Sequence, residues 1–115
     1  MSELAFDWDD QKAIVNERKH GISFEEAQTV FYDENARLRY DSEHSLDEER
    51  YILLGISGSL RLIVVCHVYR EENGIIRIIS ARKATKQEVQ QYRRFSLWKM
   101  NTIFLTQFKI HTLRN

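Results

Sequence analysis

The chain has no proline and only four glycines in 115 residues. A sequence so poor in chain breakers is neither collagen-like nor a Pro/Gly-rich disordered segment. Its one cysteine, Cys66, has no partner for an internal disulfide. That excludes the small disulfide-stapled scaffolds and fits a reducing cytoplasm. No apolar run approaches the ~20 residues of a membrane-spanning helix. The acidic start, MSELAFDWDD, lacks the basic segment and apolar core of a signal peptide. The G-x-x-x-x-G-K-[ST], G-x-G-x-x-G and G-x-S-x-G patterns are also missing, which argues against nucleotide-binding and α/β-hydrolase chemistry. His20, His44, His67 and His111 show no paired metal spacing, so no metal or other cofactor is expected. What remains is one globular domain with 43% hydrophobic and 30% charged residues.

Formal net charge is zero, but the charge is unevenly placed. Residues 1–49 hold 14 Asp/Glu against 5 Lys/Arg, and residues 50–115 hold 3 against 12. A basic half attracts phosphate even in a neutral chain. The competing reading is that the halves fold together and cancel.

Phe6–Trp8 reads as a short strand. Asp9 caps a helix running to His20, and Gly21 ends it in the left-handed conformation. Ser23-Phe24-Glu25-Glu26 is a capping box opening a second helix, with Phe24, Ala27, Val30 and Phe31 on one face. Ala36–Tyr40 reads as a strand, and Asp41–Glu49 as an acidic loop. His44 among Asp41, Glu43, Asp47 and Glu48 suggests a cation site, but a solvated loop explains it better. Strand-like runs follow at Arg50–Ile56, Leu60–Tyr69 and Ile75–Arg82, separated by Ser57-Gly58-Ser59 and Asn73-Gly74. Thr85-Lys86-Gln87-Glu88 is a second capping box, starting a helix through Arg94 or beyond. The order predicts an α+β domain: a strand and two helices, an antiparallel meander, then a C-terminal helix. Residues 1–94 form that domain. Residues 95–115, rich in large apolar side chains, form an extension that either prolongs the helix or packs on the same or another subunit.

A two-residue turn at Asn73-Gly74 would set His67 opposite Ser80, Val65 opposite Arg82 and Arg70 opposite Arg77. His67, Ser80 and Arg82 then share one face, and Arg70 and Arg77 the other. A two-residue turn at Ser57-Gly58 or Gly58-Ser59 adds Arg50 to the His67 face. A bulge or three-residue turn would reverse this. Two arginines flanking a histidine suit cleavage of RNA without a metal. Guanidinium groups stabilise charge gained by a phosphoryl group, and imidazole moves protons near neutral pH. The same face also carries Ile52, Leu54 and Val65, so rim arginines over a core are the competing reading.

Phe6-Asp7-Trp8-Asp9, Lys12, Asn16 and Lys19-His20-Gly21-Ile22 resemble the opening motif of BrnT-type toxins. Ser23–Ala27, Val30-Phe31, Asp33, His44-Ser45 and Glu48-Glu49-Arg50 continue the resemblance, as do Ile52, Gly55, Val64-Val65, His67 and Arg70. Ile76–Ala84, Glu88 and Tyr92 complete it. The resemblance spans residues 6–94 and implies a RelE-like fold and metal-independent endoribonuclease activity through 2′-hydroxyl attack. It also implies a BrnA-type ribbon-helix-helix antitoxin, promoter DNA bound only through the joint complex, and a dimer or 2:2 assembly. Arg50, His67 and Arg82 are the expected catalytic residues. Lys19, His20, Arg70, Arg77 and Glu88 are expected to bind substrate, although Glu88 also fits as the capping partner of Thr85. The alternatives are a non-catalytic module binding protein or nucleic acid, and a structural oligomer built on the apolar extension.

Overall fold

The computed structural model describes residues 4–70 and 74–114, with side chains described as far as residue 102. Strand β1 (Ala5–Asp7) leads into helix α1 (Asp10–His20) and helix α2 (Phe24–Thr29), which a 3-10 turn prolongs through Tyr32. Then come β2 (Arg37–Tyr40), a 3-10 turn at Ser42–His44, β3 (Tyr51–Ile56), β4 (Leu62–Arg70), β5 (Ile75–Lys83) and α3 (Lys86–Arg114). The strands form one sheet in the order β1-β5-β4-β3-β2, with β1 parallel to β5 and the other pairs antiparallel. The architecture is α+β, as the sequence predicts, and no helix among the described residues is long and apolar enough to cross a membrane.

Local chemistry sets the helix ends. Asp9 accepts a hydrogen bond from the Lys12 amide at 3.0 Å, and Gly21 closes α1 at φ 70°. Ser23 caps α2 through the Glu26 amide, but the Glu26 carboxylate does not turn back to Ser23. It binds Arg61 and the Ser57 hydroxyl instead, tying the β3–β4 connection to α2. The second capping box is reciprocal. The Glu88 amide donates to Thr85 Oγ1 at 3.2 Å and the Thr85 amide to Glu88 Oε1 at 2.8 Å. From there the helix continues through the 95–114 segment.

The sheet is covered unequally on its two faces. Leu53, Val65, Ile78 and Ala81 pack beneath Ile22, Phe24, Ala27 and Val30. On the other face, Leu54 and Val64 meet Tyr92 of α3. Because β1 pairs only with residues 75–77, the far half of β5 has a free edge. Asn16 of α1 covers it at one point. Its buried side-chain amide donates to the Ala81 carbonyl at 2.9 Å and accepts from the Ala81 amide at 3.0 Å. One side chain thus does the hydrogen bonding of a neighbouring strand.

Strand register departs from the expected two-residue turns. Ile56 pairs with Leu62 across a five-residue connection. Arg70 pairs with Ile75, which leaves four residues between β4 and β5. Of the expected Asn73-Gly74 turn, Asn73 lies outside the described residues and Gly74 has φ 63°. His67 pairs with Ile78 whereas Cys66 pairs with Ser80, so Ile79 is an extra residue, a β-bulge.

Candidate active site

The bulge decides which side chains meet. Before it, Arg77 lies opposite Val68; after it, Ser80 lies opposite Cys66 and Arg82 opposite Val64. Strand alternation then puts Ser80 and Arg82 on the α3 side, together with Arg50, Arg70 and Arg77. His67 falls on the other face, opposite Tyr51. The expectation that Arg50, His67 and Arg82 converge is therefore corrected. The two arginines meet, and the histidine is on the far side of the sheet. The expected separation of Arg70 and Arg77 from Arg82 is corrected as well.

His67 is fully buried. Phe31 and Tyr69 pack edge-on against its ring at 4.7 and 5.0 Å between centroids. Nδ1 lies 3.2 Å from the Val65 carbonyl, which can only accept, so Nδ1 carries the proton. Nε2 then accepts from the Tyr69 hydroxyl at 3.1 Å. Burial pushes its pKa down to about 4, so the ring is neutral at physiological pH.

On the α3 side a cavity of about 400 Å³ opens over β2 to β5. Arg39, Arg50 and Arg82 line it, with Asp41 and His44 along one side and Cys66 and Ser80 at its floor. Glu88 holds Arg82 in a two-pronged ion pair, Nη1 to Oε1 at 2.8 Å and Nη2 to Oε2 at 3.1 Å. The guanidinium keeps the Glu88 carboxyl down to about 2, the main cause of its shift. Arg50 is held less firmly. Its nearest carboxylate is Glu48, 3.5 Å away, and its Nε is buried without a hydrogen-bond partner among the described residues. Burial pushes the Cys66 thiol pKa up, which keeps the sulfur protonated and weakly nucleophilic.

Other expected substrate contacts are dispersed. Lys19 and His20 end α1 and line a second groove with Lys12, Asn16 and Ile79. Ser80 borders both recesses, so they adjoin across β5. Arg77 sits 3.3 Å from Asp7, toward the other end of β5, and Arg70 ends β4 as an exposed residue. Glu88 serves Arg82 and the helix cap. Among the described residues, no group of three His, Cys, Asp or Glu side chains is arranged to hold a metal ion.

Arg39 escaped the sequence reading, and the Asp41–His44 pair was weighed there only as a cation site in a solvated loop. Alternation of Arg37 and Arg39 in a short strand was a visible signal, but their side depends on pairing with Leu54 and Ile52, which the sequence does not state. The acidic stretch around His44 looked like solvated loop because its order comes from contacts with β3, not from local periodicity.

Among curated proteins none matches the chain. A crystal structure of the Brucella abortus ribonuclease toxin BrnT is similar in fold, with a TM-score of 0.57 at 22% identity. The alignment covers 73% of this chain and 100% of the Brucella chain. The profile of the family described as the ribonuclease toxin BrnT of type II toxin–antitoxin systems matches residues 8–88. This stretch contains strands β2 to β5, though not β1, and every arginine of the cavity. The chain therefore belongs to the BrnT family of ribonuclease toxins.

Proposed function

We propose that the chain is a metal-independent endoribonuclease whose substrate phosphate lies in the cavity formed by Arg39, Arg50 and Arg82. The observation carrying this reading is that three arginines, from β2, from the residue before β3 and from β5, line one recess. Fixed cations there oppose the negative charge that builds on the phosphoryl oxygens as the 2′-oxygen attacks. Glu88 fixes the Arg82 fork before substrate arrives, while the loosely paired Arg50 is free to bond the phosphate. Lys19 and His20, reached past Ser80, are placed to hold an adjoining nucleotide, and Arg70 and Arg77 to hold backbone farther along the same face. His67 has a structural role.

The proposed partner is a BrnA-type antitoxin with a ribbon-helix-helix part, in a 2:2 assembly that meets promoter DNA only through that part. Covering the basic half of the toxin would block RNA access. Light scattering of the chain mixed with the product of the adjacent gene should show the assembly. Free monomers alone would exclude it.

Cleavage of a defined RNA with excess enzyme tests the activity. Arg82→Ala is expected to lose on the order of 2–4 kcal/mol of transition-state stabilisation while retaining wild-type circular dichroism. EDTA is expected to leave the wild-type rate unchanged. A folded Arg82→Ala protein with the wild-type rate would remove the arginine cavity from the reaction, and loss of activity in EDTA would refute metal independence.

A further inference from the structure

The stretch Asp41–Arg50 is organised around the backbone of Arg50. The Asp41 amide donates to the Arg50 carbonyl at 2.9 Å. The Arg50 amide donates to the Ser45 hydroxyl at 2.9 Å, and that hydroxyl donates to the Asp41 carbonyl at 2.6 Å. These bonds fix the 3-10 turn bearing His44 to the root of a cavity arginine. Asp41 is buried, at 5% exposure, and its Oδ2 lies 2.9 Å from His44 Nδ1. A carboxylate only accepts, so the neutral ring carries its proton on Nδ1 and its lone pair on Nε2. The imidazole itself is largely exposed, 63% at the side chain, and lines the arginine cavity. A buried acid orienting an accessible imidazole beside a phosphate-sized set of cations is the arrangement of a proton-transfer group.

We propose that His44 is the general base of the ribonuclease reaction, a catalytic residue, and that Asp41 is its positioning residue. The proposal rests on the ribonuclease reading above. His44 Nε2 takes the proton of the ribose 2′-hydroxyl as the 2′-oxygen bonds to phosphorus. The bond from phosphorus to the 5′-oxygen breaks, and that oxygen takes a proton from water. The products are a 2′,3′-cyclic phosphate and a 5′-hydroxyl, and the imidazolium returns its proton to solvent. Asp41 stabilises the imidazolium while it lasts.

The charged groups sharing the cavity are Asp41 and Glu43 on the histidine's own turn, Arg39 of β2, Arg50 before β3 and Arg82 of β5, with Cys66 of β4 as the remaining titratable neighbour. A general base accepts a proton only in its neutral form, so the cleavage rate should rise with pH.

The test is single-turnover cleavage of a defined RNA from pH 5 to 8 by the whole chain, with circular dichroism of each variant. His44→Ala and His44→Gln are each expected to slow cleavage roughly 10²–10⁴-fold and to flatten the rise with pH. Asp41→Asn should slow cleavage on its own and add nothing further in a His44→Ala background, a coupling that a merely structural acid would not show. Folded His44 variants cleaving at the wild-type rate, or slower but with an unaltered rise, would overturn the proposal while leaving the arginine cavity in place. A wild-type chain that cleaves no RNA at any pH would overturn both readings.

Discussion

His67 shows how the same side chain changes meaning with its surroundings. In an exposed cleft it would titrate near neutrality. Here burial and two hydrogen bonds hold it neutral. In the unfolded chain its pKa returns to about 6.5, so between that value and about 4 the unfolded state binds more protons. Stability from this residue is therefore complete above pH 6.5 and is lost as pH falls toward 4, by about 3 kcal/mol in all. Urea unfolding at pH 7 and pH 5 should show the loss in wild type and a smaller one in His67→Phe. Equal pH sensitivity in the two proteins would contradict the assignment. His67→Ala should cost on the order of 2–4 kcal/mol through the void and the unpaired Tyr69 hydroxyl and Val65 carbonyl. Its folded fraction should still cleave RNA at the wild-type rate. Residue identity made His67 the natural candidate; its depth in an aromatic cluster depends on partners as distant as Phe31, which no local pattern reveals.

At the level of elements, signals confined to a few residues were legible. Asp9, Gly21, Ser23 and Thr85 mark helix ends that the structure reproduces within a residue or two. The strand runs were also legible, since alternating and β-branched residues need no distant partner to be recognised. Register was not. A turn two residues longer than expected preserves the facing of every side chain, but a single inserted residue reverses it. Ile79 is that residue, and it carries Ser80 and Arg82 to the cavity while leaving Ala81 in the core. Deleting Ile79 closes the bulge but leaves Ser80 opposite Cys66, Ala81 opposite Val65 and Arg82 opposite Val64, so the facing of all three is kept. The deletion variant should unfold cooperatively and still cleave RNA. A deletion variant that is unfolded or inactive would show that the bulge does more than restore the alternation. A second steric requirement lies at Gly55. A Cβ there would meet Val30 Cγ1 at 2.9 Å and Ala36 Cβ at 3.0 Å. Gly55→Ala should lower stability by roughly 1–3 kcal/mol, measurable as a fall in the urea midpoint.

Over the whole molecule, α3 joins two regions of different character. Its first turns are fastened to the sheet domain. The Tyr92 hydroxyl donates to Asp33 Oδ2 at 2.7 Å, Phe95 lies under the Arg37 guanidinium at 4.8 Å, and Lys99 Nζ donates to the Glu34 carbonyl at 3.1 Å. Leu97, Trp98 and Met100 are exposed on the same stretch, beyond the residues matched by the family profile. A chain ending after Thr102 retains every one of these fastenings. It should keep its cleavage rate. A large loss would assign the last residues to the catalytic domain. The pairing of β1 with β5 also has a consequence in time. Residues 5–7 find their partners only when residues 75–77 have been made. At about 5–20 residues per second, the amino terminus waits several seconds with an unpaired edge. Arg82 is the last cavity arginine to leave the ribosome. Early fragments of the toxin consequently have no arginine cavity to assemble.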